Sequence, residues 1–299
     1  MAISEAQLIT WSHQGSVTQS RDTYQTVRDA LQASRSQYAG QSYEIFLQGS
    51  YYNDTNIYAE SDVDTVIRLD SIYGSDYSNL SPLQKTAFQK TFIPATYSFA
   101  DFKRGVNTRL SNAFGAQNAS LGRKTFKIKP GGSRRSADVL ACYQYRYYTR
   151  FVSHYDCSYI PGVIFSTSSG DWIINYPKQH SENCTRKHQA SDSWFKPMIR
   201  ILKNMRSRMV HNRMIADDVA ASYFIEGLLY NVPNDRFGGN YADTFCNSVN
   251  WLSRTDRSRL LCANEMYFLL GNSNVQWAQT NCDLFLNGLV RLWNNWPTP

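Results

Sequence analysis

Asp62 and Asp64, separated by Val63, are the residues in this chain best placed to do chemistry. In a strand, residues i and i+2 point to the same face, so the two carboxylates would stand side by side. Such a pair can share a divalent cation, and hard oxygen ligands favour Mg²⁺ or Mn²⁺. Shortly upstream lies Gly49-Ser50. Glycine lets backbone N–H groups approach phosphate oxygens, and serine adds a hydroxyl donor. An Asp-x-Asp at a turn or strand end is also common without any chemistry. The combination with Gly-Ser, and with the apolar strand residues Val63, Val66, Ile67 and Leu69, favours a phosphate and metal site.

The elements that must position these groups can be read in order. Residues 18–38 have helical spacing through Tyr24, Val27 and Leu31, and Tyr43-Glu44-Ile45-Phe46-Leu47 is a short strand delivering Gly49-Ser50. A strand follows over 62–69. Ser81-Pro82 starts a helix that would run to Phe92, with Ser81 as cap and Pro82 at the first helical position. A second helix is expected over 97–114. Residues 125–129 alternate as a half-exposed strand, Pro130-Gly131-Gly132-Ser133 is a turn, and 136–145 reads as a buried strand opened by Asp138. Asp138 can serve as a third acid beside Asp62 and Asp64, or it can cap the turn after Arg134-Arg135. Residues 164–166 and 171–175 form a further strand pair.

From Asp192 the pattern turns helical, with Asp192 or Ser193 as cap and an apolar stripe of Trp194, Met198, Ile201, Leu202 and Met205. Further helices are expected over 217–230, 241–252, 258–270 and 282–296. Strands thus cluster before residue 175 and helices after 192, an α+β pattern. Two lobes follow from it, 1–190 and 191–299.

Gly49-Ser50 followed by Thr55-x-Ile57-x-x-x-Ser61-Asp62-Val63-Asp64 resembles the signature of the polymerase-β-like nucleotidyltransferases, and closely that of the cGAS/DncV-like members. Tyr176-Pro177-x-x-His180 is a second resemblance. It implies a mixed-sheet catalytic lobe, a helical C-terminal lobe and an active site in the cleft between them. On that resemblance Asp62, Asp64 and Asp138 hold two Mg²⁺ ions, with Mn²⁺ as the alternative. Gly49, Ser50 and Lys203 then contact the triphosphate, while Ser222 and Tyr223 match a Ser-Tyr pair that touches phosphate and stacks on the base. Read without the family, Lys203 belongs to a solvated basic face with Arg200, Arg206 and Arg208, and Tyr223 is a core residue of a helix.

The implied activity is template-independent joining of NTPs into a cyclic oligonucleotide second messenger, foremost a cyclic dinucleotide, with release of pyrophosphate. The expected setting is bacterial antiphage signalling, with the product acting on a separate effector. The alternatives are nucleotide transfer to RNA, a protein or a small molecule, and a non-catalytic nucleotide- or RNA-binding module on the same scaffold.

The net charge is 31 minus 24, or +7, over 299 residues. That suits an anionic partner. The basic residues are dispersed, so stable nucleic-acid binding is not expected. No apolar run approaches the roughly 18 residues of a membrane span, and Met1-Ala2-Ile3-Ser4-Glu5 lacks signal-peptide features, so a cytoplasmic protein is expected. The six cysteines are widely spaced and expected as thiols. His180-x-x-x-Cys184-x-x-x-His188 has the spacing of one helical face and so of a zinc cluster, but Pro177 and Ser181-Glu182-Asn183 argue for a loop with a structural histidine.

Overall fold

The structure is a computed structural model and describes residues 2–32, 34–58, 62–91 and 93–296. Ser61 of the motif and Phe92, the expected end of a helix, lie outside the described residues. The chain runs through α1 (Glu5–Ser12), α2 (Thr18–Leu31), β1 (Tyr43–Leu47), α3 (Gly49–Tyr52), β2 (Val63–Asp76), α4 (Pro82–Lys90), α5 (Phe99–Phe114), β3 (Ala119–Leu121), β4 (Phe126–Ile128) and β5 (Ala137–Ser153). It continues through β6 (Asp156–Ser166), β7 (Trp172–Asn175), α6 (Pro177–Ala190), α7 (Phe195–His211), α8 (Ser222–Asn231), α9 (Tyr241–Arg254) and α10 (Gln279–Asn294). Among the described residues no helix is long and apolar enough to cross a membrane.

Contacts group the chain into two units, and differently from a single cut at residue 190. A sheet unit comprises 18–48 and 62–177, and a helical unit comprises 1–17, 49–61 and 178–299. The early segments join the helical unit because they bond to its helices: Glu5 caps the start of α9 through the N–H groups of Tyr241 and Ala242, and 53–56 is held by side chains of α7 and α8.

In the sheet unit the strand order is β1-β2-β5-β4-β3, with β6 and β7 continuing from β5. β5 is long enough to serve several neighbours: β2 runs beside it from Ala137 to Tyr147, and on its other edge β4 covers only its first three residues before β6 takes over from Tyr143. β2 and β5 are parallel, which needs a crossover, and the chain between them supplies α4, α5 and the β3–β4 hairpin. α5 buries Phe99, Phe102, Val106 and Leu110, the spacing of one helical face. Along β2, Val63, Thr65, Ile67 and Leu69 fall on one face. On the other face, Asp62 and Asp64 precede Val66 and Arg68, whose guanidinium is closed off by Asp70 and Glu44 at 2.6 and 2.7 Å.

The helical unit packs α1, α7, α8, α9 and α10 around Met198, Ile201, Leu202, Met205, Phe224, Leu228, Phe285 and Leu289, all fully or nearly fully buried. Three expectations are corrected here. Residues 177–190 form α6 and not a loop, because proline is well tolerated in the first helical turn, where its missing N–H has no partner to lose. Residues 258–270 do not form an α-helix: a single 3-10 turn covers Arg257–Arg259, Leu261 and Phe268 then form an antiparallel bridge about a turn at Asn264-Glu265, and Leu260, Cys262 and Leu269 are buried. Asp192 and Ser193 do not cap α7; both have positive φ (47° and 69°), and Ser191 Oγ accepts the Phe195 N–H instead.

Candidate active site

The acids are assembled by strand pairing. Asp64 and Asp138 are directly opposed in the parallel β2–β5 register, and Asp62 lies two residues before Asp64 on the same face. Asp62 is exposed, whereas Asp64 and Asp138 are half-buried. Neighbours hold two of them in place: Ser136 Oγ donates to Asp62 Oδ1, and Thr125 Oγ1 donates to Asp138 Oδ2 at 3.0 Å. Burial pushes the Asp138 pKa up and Asp62 adds to it, against Thr125 and against Lys127, which faces Asp138 across the β4–β5 pair. The electrostatic coupling of Asp138 to Asp62 and its register with Asp64 make one acidic group of the three. Asp138 is therefore a strand residue beside the acid pair and not a turn cap.

The other predicted residues belong to the helical unit. Gly49 has φ 71°, a conformation that costs side-chain-bearing residues, so the glycine is required by the backbone itself. Gln48 just before it donates its N–H to Asp64 O at 3.1 Å, which fixes where β1 ends beside the acids. Ser50 lies in α3, and its carbonyl accepts the Thr55 N–H at 2.8 Å, closing a turn. Ser222 opens α8. Tyr223 is stacked on His180 and on Trp277 (ring centroids 4.4 and 5.6 Å), and its hydroxyl accepts from Asn264 Nδ2. A nucleobase meeting Tyr223 would have to use ring surface that these neighbours leave open.

Lys203 is fully buried and its Nζ donates to Thr55 O at 3.0 Å, so the solvated-face alternative does not hold. Of the five Lys and Arg residues of α7, Lys196, Arg200 and Lys203 are spaced i, i+4, i+7 on one face. Lys196 pairs with Asp54 at 2.9 Å, and Arg200 donates to the carbonyls of Asp54 and Ser12.

The sequence reading missed Glu226, which is buried in α8 and accepts from His180 Nε2 at 2.6 Å, from Thr55 Oγ1 and from Asn53 Nδ2 at 3.4 Å. The available signal was a lone carboxylate in the apolar run Phe224-Ile225-Glu226-Gly227-Leu228-Leu229. Burial opposes the charge on both partners. The Cys184 and Glu226 side chains outweigh it on His180, raising that pKa to about 10, and His180, Lys203 and Thr55 outweigh it on Glu226, whose pKa is lowered. His180, Cys184 and Glu226 are the one group of three among the described residues whose possible ligand atoms lie within 4.8 Å of one another. His188 is outside it, and the three aspartates are not drawn that close.

Residues 182–294 match the model of the cGAS/DncV-like nucleotidyltransferase C-terminal helical domain. Along its whole length the chain is similar to the cyclic UMP-AMP synthase of Rhodothermus marinus, 40% identical over 297 residues, covering 99% of each sequence. The chain belongs to the cGAS/DncV-like nucleotidyltransferases. It is also 35% identical over 302 residues to the cyclic nucleotide synthase CdnE01 of Staphylococcus haemolyticus, covering 99% of this chain and 100% of that one. The structure of the Rhodothermus marinus enzyme with Apcpp and Upnpp superposes with a TM-score of 0.87 at 39% identity, covering 99% of this chain and 98% of that one. The expected fold, a polymerase-β-like mixed sheet with a helical C-terminal part, is thereby shown for this family member.

Proposed function

We propose that this nucleotidyltransferase joins two nucleoside triphosphates into a cyclic dinucleotide. The single observation that carries the reading is the in-register opposition of Asp64 and Asp138, with Asp62 two residues away, in a chain 40% identical to a cyclic dinucleotide synthase. In the first step a ribose hydroxyl oxygen of one nucleotide bonds to the α-phosphorus of the other. The bond from that phosphorus to the bridging oxygen breaks, pyrophosphate leaves, and the hydroxyl proton passes to solvent. The second step repeats this within the linear dinucleotide and closes the ring, so two NTPs give one cyclic product and two pyrophosphates.

The acidic group fits divalent cations: it offers hard oxygen donors, and burial first, with the Asp62 charge added to it, makes the Asp138 carboxylate costly to ionise, a cost that a bound cation would offset. Asp62, Asp64 and Asp138 would hold Mg²⁺ or Mn²⁺, which when bound neutralises the leaving pyrophosphate and lowers the pKa of the attacking hydroxyl. The Gly49-Ser50 backbone and the Ser50 hydroxyl bind the triphosphate, Ser222 adds a phosphate contact, and Tyr223 meets the base. Lys203 serves the triphosphate through the Thr55 carbonyl that it holds. The product then acts as a second messenger on a separate effector in the cytoplasm, within bacterial antiphage signalling.

The test is incubation of the purified protein with all four NTPs and Mg²⁺ or Mn²⁺, followed by mass spectrometry of the products. ATP with UTP is the first pair to examine, given the name of the 40% identical relative. A cyclic dinucleotide with two pyrophosphates per ring is expected. Nucleotide appearing on added RNA, protein or a small-molecule acceptor, with no cyclic product, would overturn the proposal.

A further inference from the structure

We propose that Glu226 is a positioning residue that sets the Gly49-Ser50 turn from inside the helical unit. Its consequence for ligand binding rests on the function proposed above. The turn itself is a short irregular piece. Thr55 N–H donates to Ser50 O, Asn53 N–H donates to Gly49 O at 3.1 Å, and Gly49 stands at positive φ. Left alone, a segment of this kind samples many conformers, because fixing each residue costs conformational entropy.

What selects one conformer is a set of side chains from α7 and α8. Glu226 takes the Thr55 hydroxyl and the Asn53 amide together, and Lys203 takes the Thr55 carbonyl. Thr55, Asn53 and Asn56 are buried, and Asn56 is tied on its other side, its carbonyl accepting from Gly15 N–H and its Oδ1 from Gln14 Nε2 at 2.8 Å.

Only an ionised carboxylate suits the position of Glu226. Three donors converge on it, from His180, Thr55 and Asn53, and a carboxylate has about four lone-pair sites and nothing to donate. Glutamine has the same shape but would turn an NH₂ group toward one of those donors. The charge is tolerated because His180 and Lys203 compensate it within the same buried cluster. His180 is in turn fixed by the Tyr223 ring stacked on it, so α6, α7 and α8 all bear on one residue, Thr55. The nearby Cys184 does not make this a cation site. An ion bonded to both His180 and Glu226 at about 2 Å would hold their ligand atoms roughly 3.2 Å apart. Their observed separation of 2.6 Å is that of a shared proton.

Hydrogen exchange on the full-length protein tests this. In Glu226→Gln the amides of 50–56 should exchange at least about tenfold faster, while those of α9 and α10 stay as in wild type, the pattern of a local opening. The dissociation constant for a non-hydrolysable NTP should rise about tenfold, and that for the matching nucleoside should stay within about twofold, since a charged hydrogen bond is lost behind the phosphates alone. Thr55→Val should reproduce both effects and Thr55→Ser should reverse them, which keeps the test open if Glu226→Gln does not fold. Unchanged exchange over 50–56 in the folded variants, or one zinc per chain by elemental analysis, would overturn the inference. Fast exchange with unchanged triphosphate affinity would overturn the link from turn to ligand. A wild-type protein that makes no cyclic product would sink the proposed function and leave the exchange result standing.

Discussion

Asp62, Asp64 and Asp138 in the sheet unit and His180, Lys203 and Glu226 in the helical unit are both trios of ionisable side chains, arranged in opposite electrostatic senses. The aspartates share one sign and sit exposed or half-buried at strand starts, and at Asp138 burial first and the Asp62 charge second raise the proton affinity. The helical trio mixes signs and is withdrawn from water, with His180 and Glu226 2.6 Å apart. Like charges can be kept together where solvent or a ligand reaches them, whereas buried charges survive only when each meets an opposite charge and enough hydrogen bonds. The first trio is built to receive something, and the second to hold the chain.

The largest expected effect breaks the first trio. Asp64→Asn or Asp62→Ala should reduce pyrophosphate release from NTPs by about a thousandfold or more if, as proposed, each holds the cation for phosphoryl transfer. Thermal unfolding of these variants without nucleotide should occur at or above the wild-type temperature, as repulsion is relieved. A melt well below wild type would place these acids with the structural trio.

Breaking the second trio should act on stability instead. Glu226→Ala leaves the His180 and Lys203 charges buried without their carboxylate, a loss of about 3–5 kcal/mol by denaturant titration. Wild-type stability in that variant would mean that the buried cluster is not a structural clamp.

How far each trio was legible follows from sequence separation. Asp62 and Asp64 could be found because a period of two needs only adjacent residues. Asp138 could be named as the third acid only through the family resemblance, since its own neighbours left the turn-cap reading open and the parallel pairing to β2 spans a 74-residue separation, as the Ser136–Asp62 bond also does. Glu226 and Thr55 are 171 residues apart, and nothing local to either announces the other. The α4 start was legible in full: Ser81 Oγ accepts the Gln84 N–H and Pro82 is the first helical residue. The 258–270 stretch was misread because it is rich in apolar residues without any strand alternation, while the two arms of a bridged turn, paired through Leu261 and Phe268, bury Leu260 and Leu269.

The pH dependence sharpens the contrast. His180 has a folded pKa raised to about 10 from an ordinary 6.5, so its contribution is complete below 6.5 and is lost as pH rises toward 10. Glu226 has a lowered pKa, so its contribution is complete above its ordinary 4.5 and is lost as pH falls through the folded value. The clamp should therefore be strongest between about 4.5 and 6.5, and His180→Asn should flatten the alkaline side of the stability curve. An unchanged alkaline limb in that variant would remove His180 as its cause.

The smallest effect on stability lies with Asp138. Its raised pKa means that its charge costs stability once pH exceeds its ordinary 3.8, so Asp138→Asn should raise the melting temperature at pH 7 by about 1–3 °C and by nearly nothing at pH 3. The same variant should lose turnover, since an amide is a weak ligand for hard cations. A variant that gained stability and kept full activity would leave Asp62 and Asp64 without their third acid.

The most direct test of the division between the two trios is pyrophosphate release by wild type and by Asp64→Asn, measured side by side with NTPs and Mg²⁺ on samples shown by calorimetry to be equally folded. Pyrophosphate and cyclic dinucleotide are expected from the wild type, and neither from a variant that melts no lower. Wild-type turnover by folded Asp64→Asn would contradict that division.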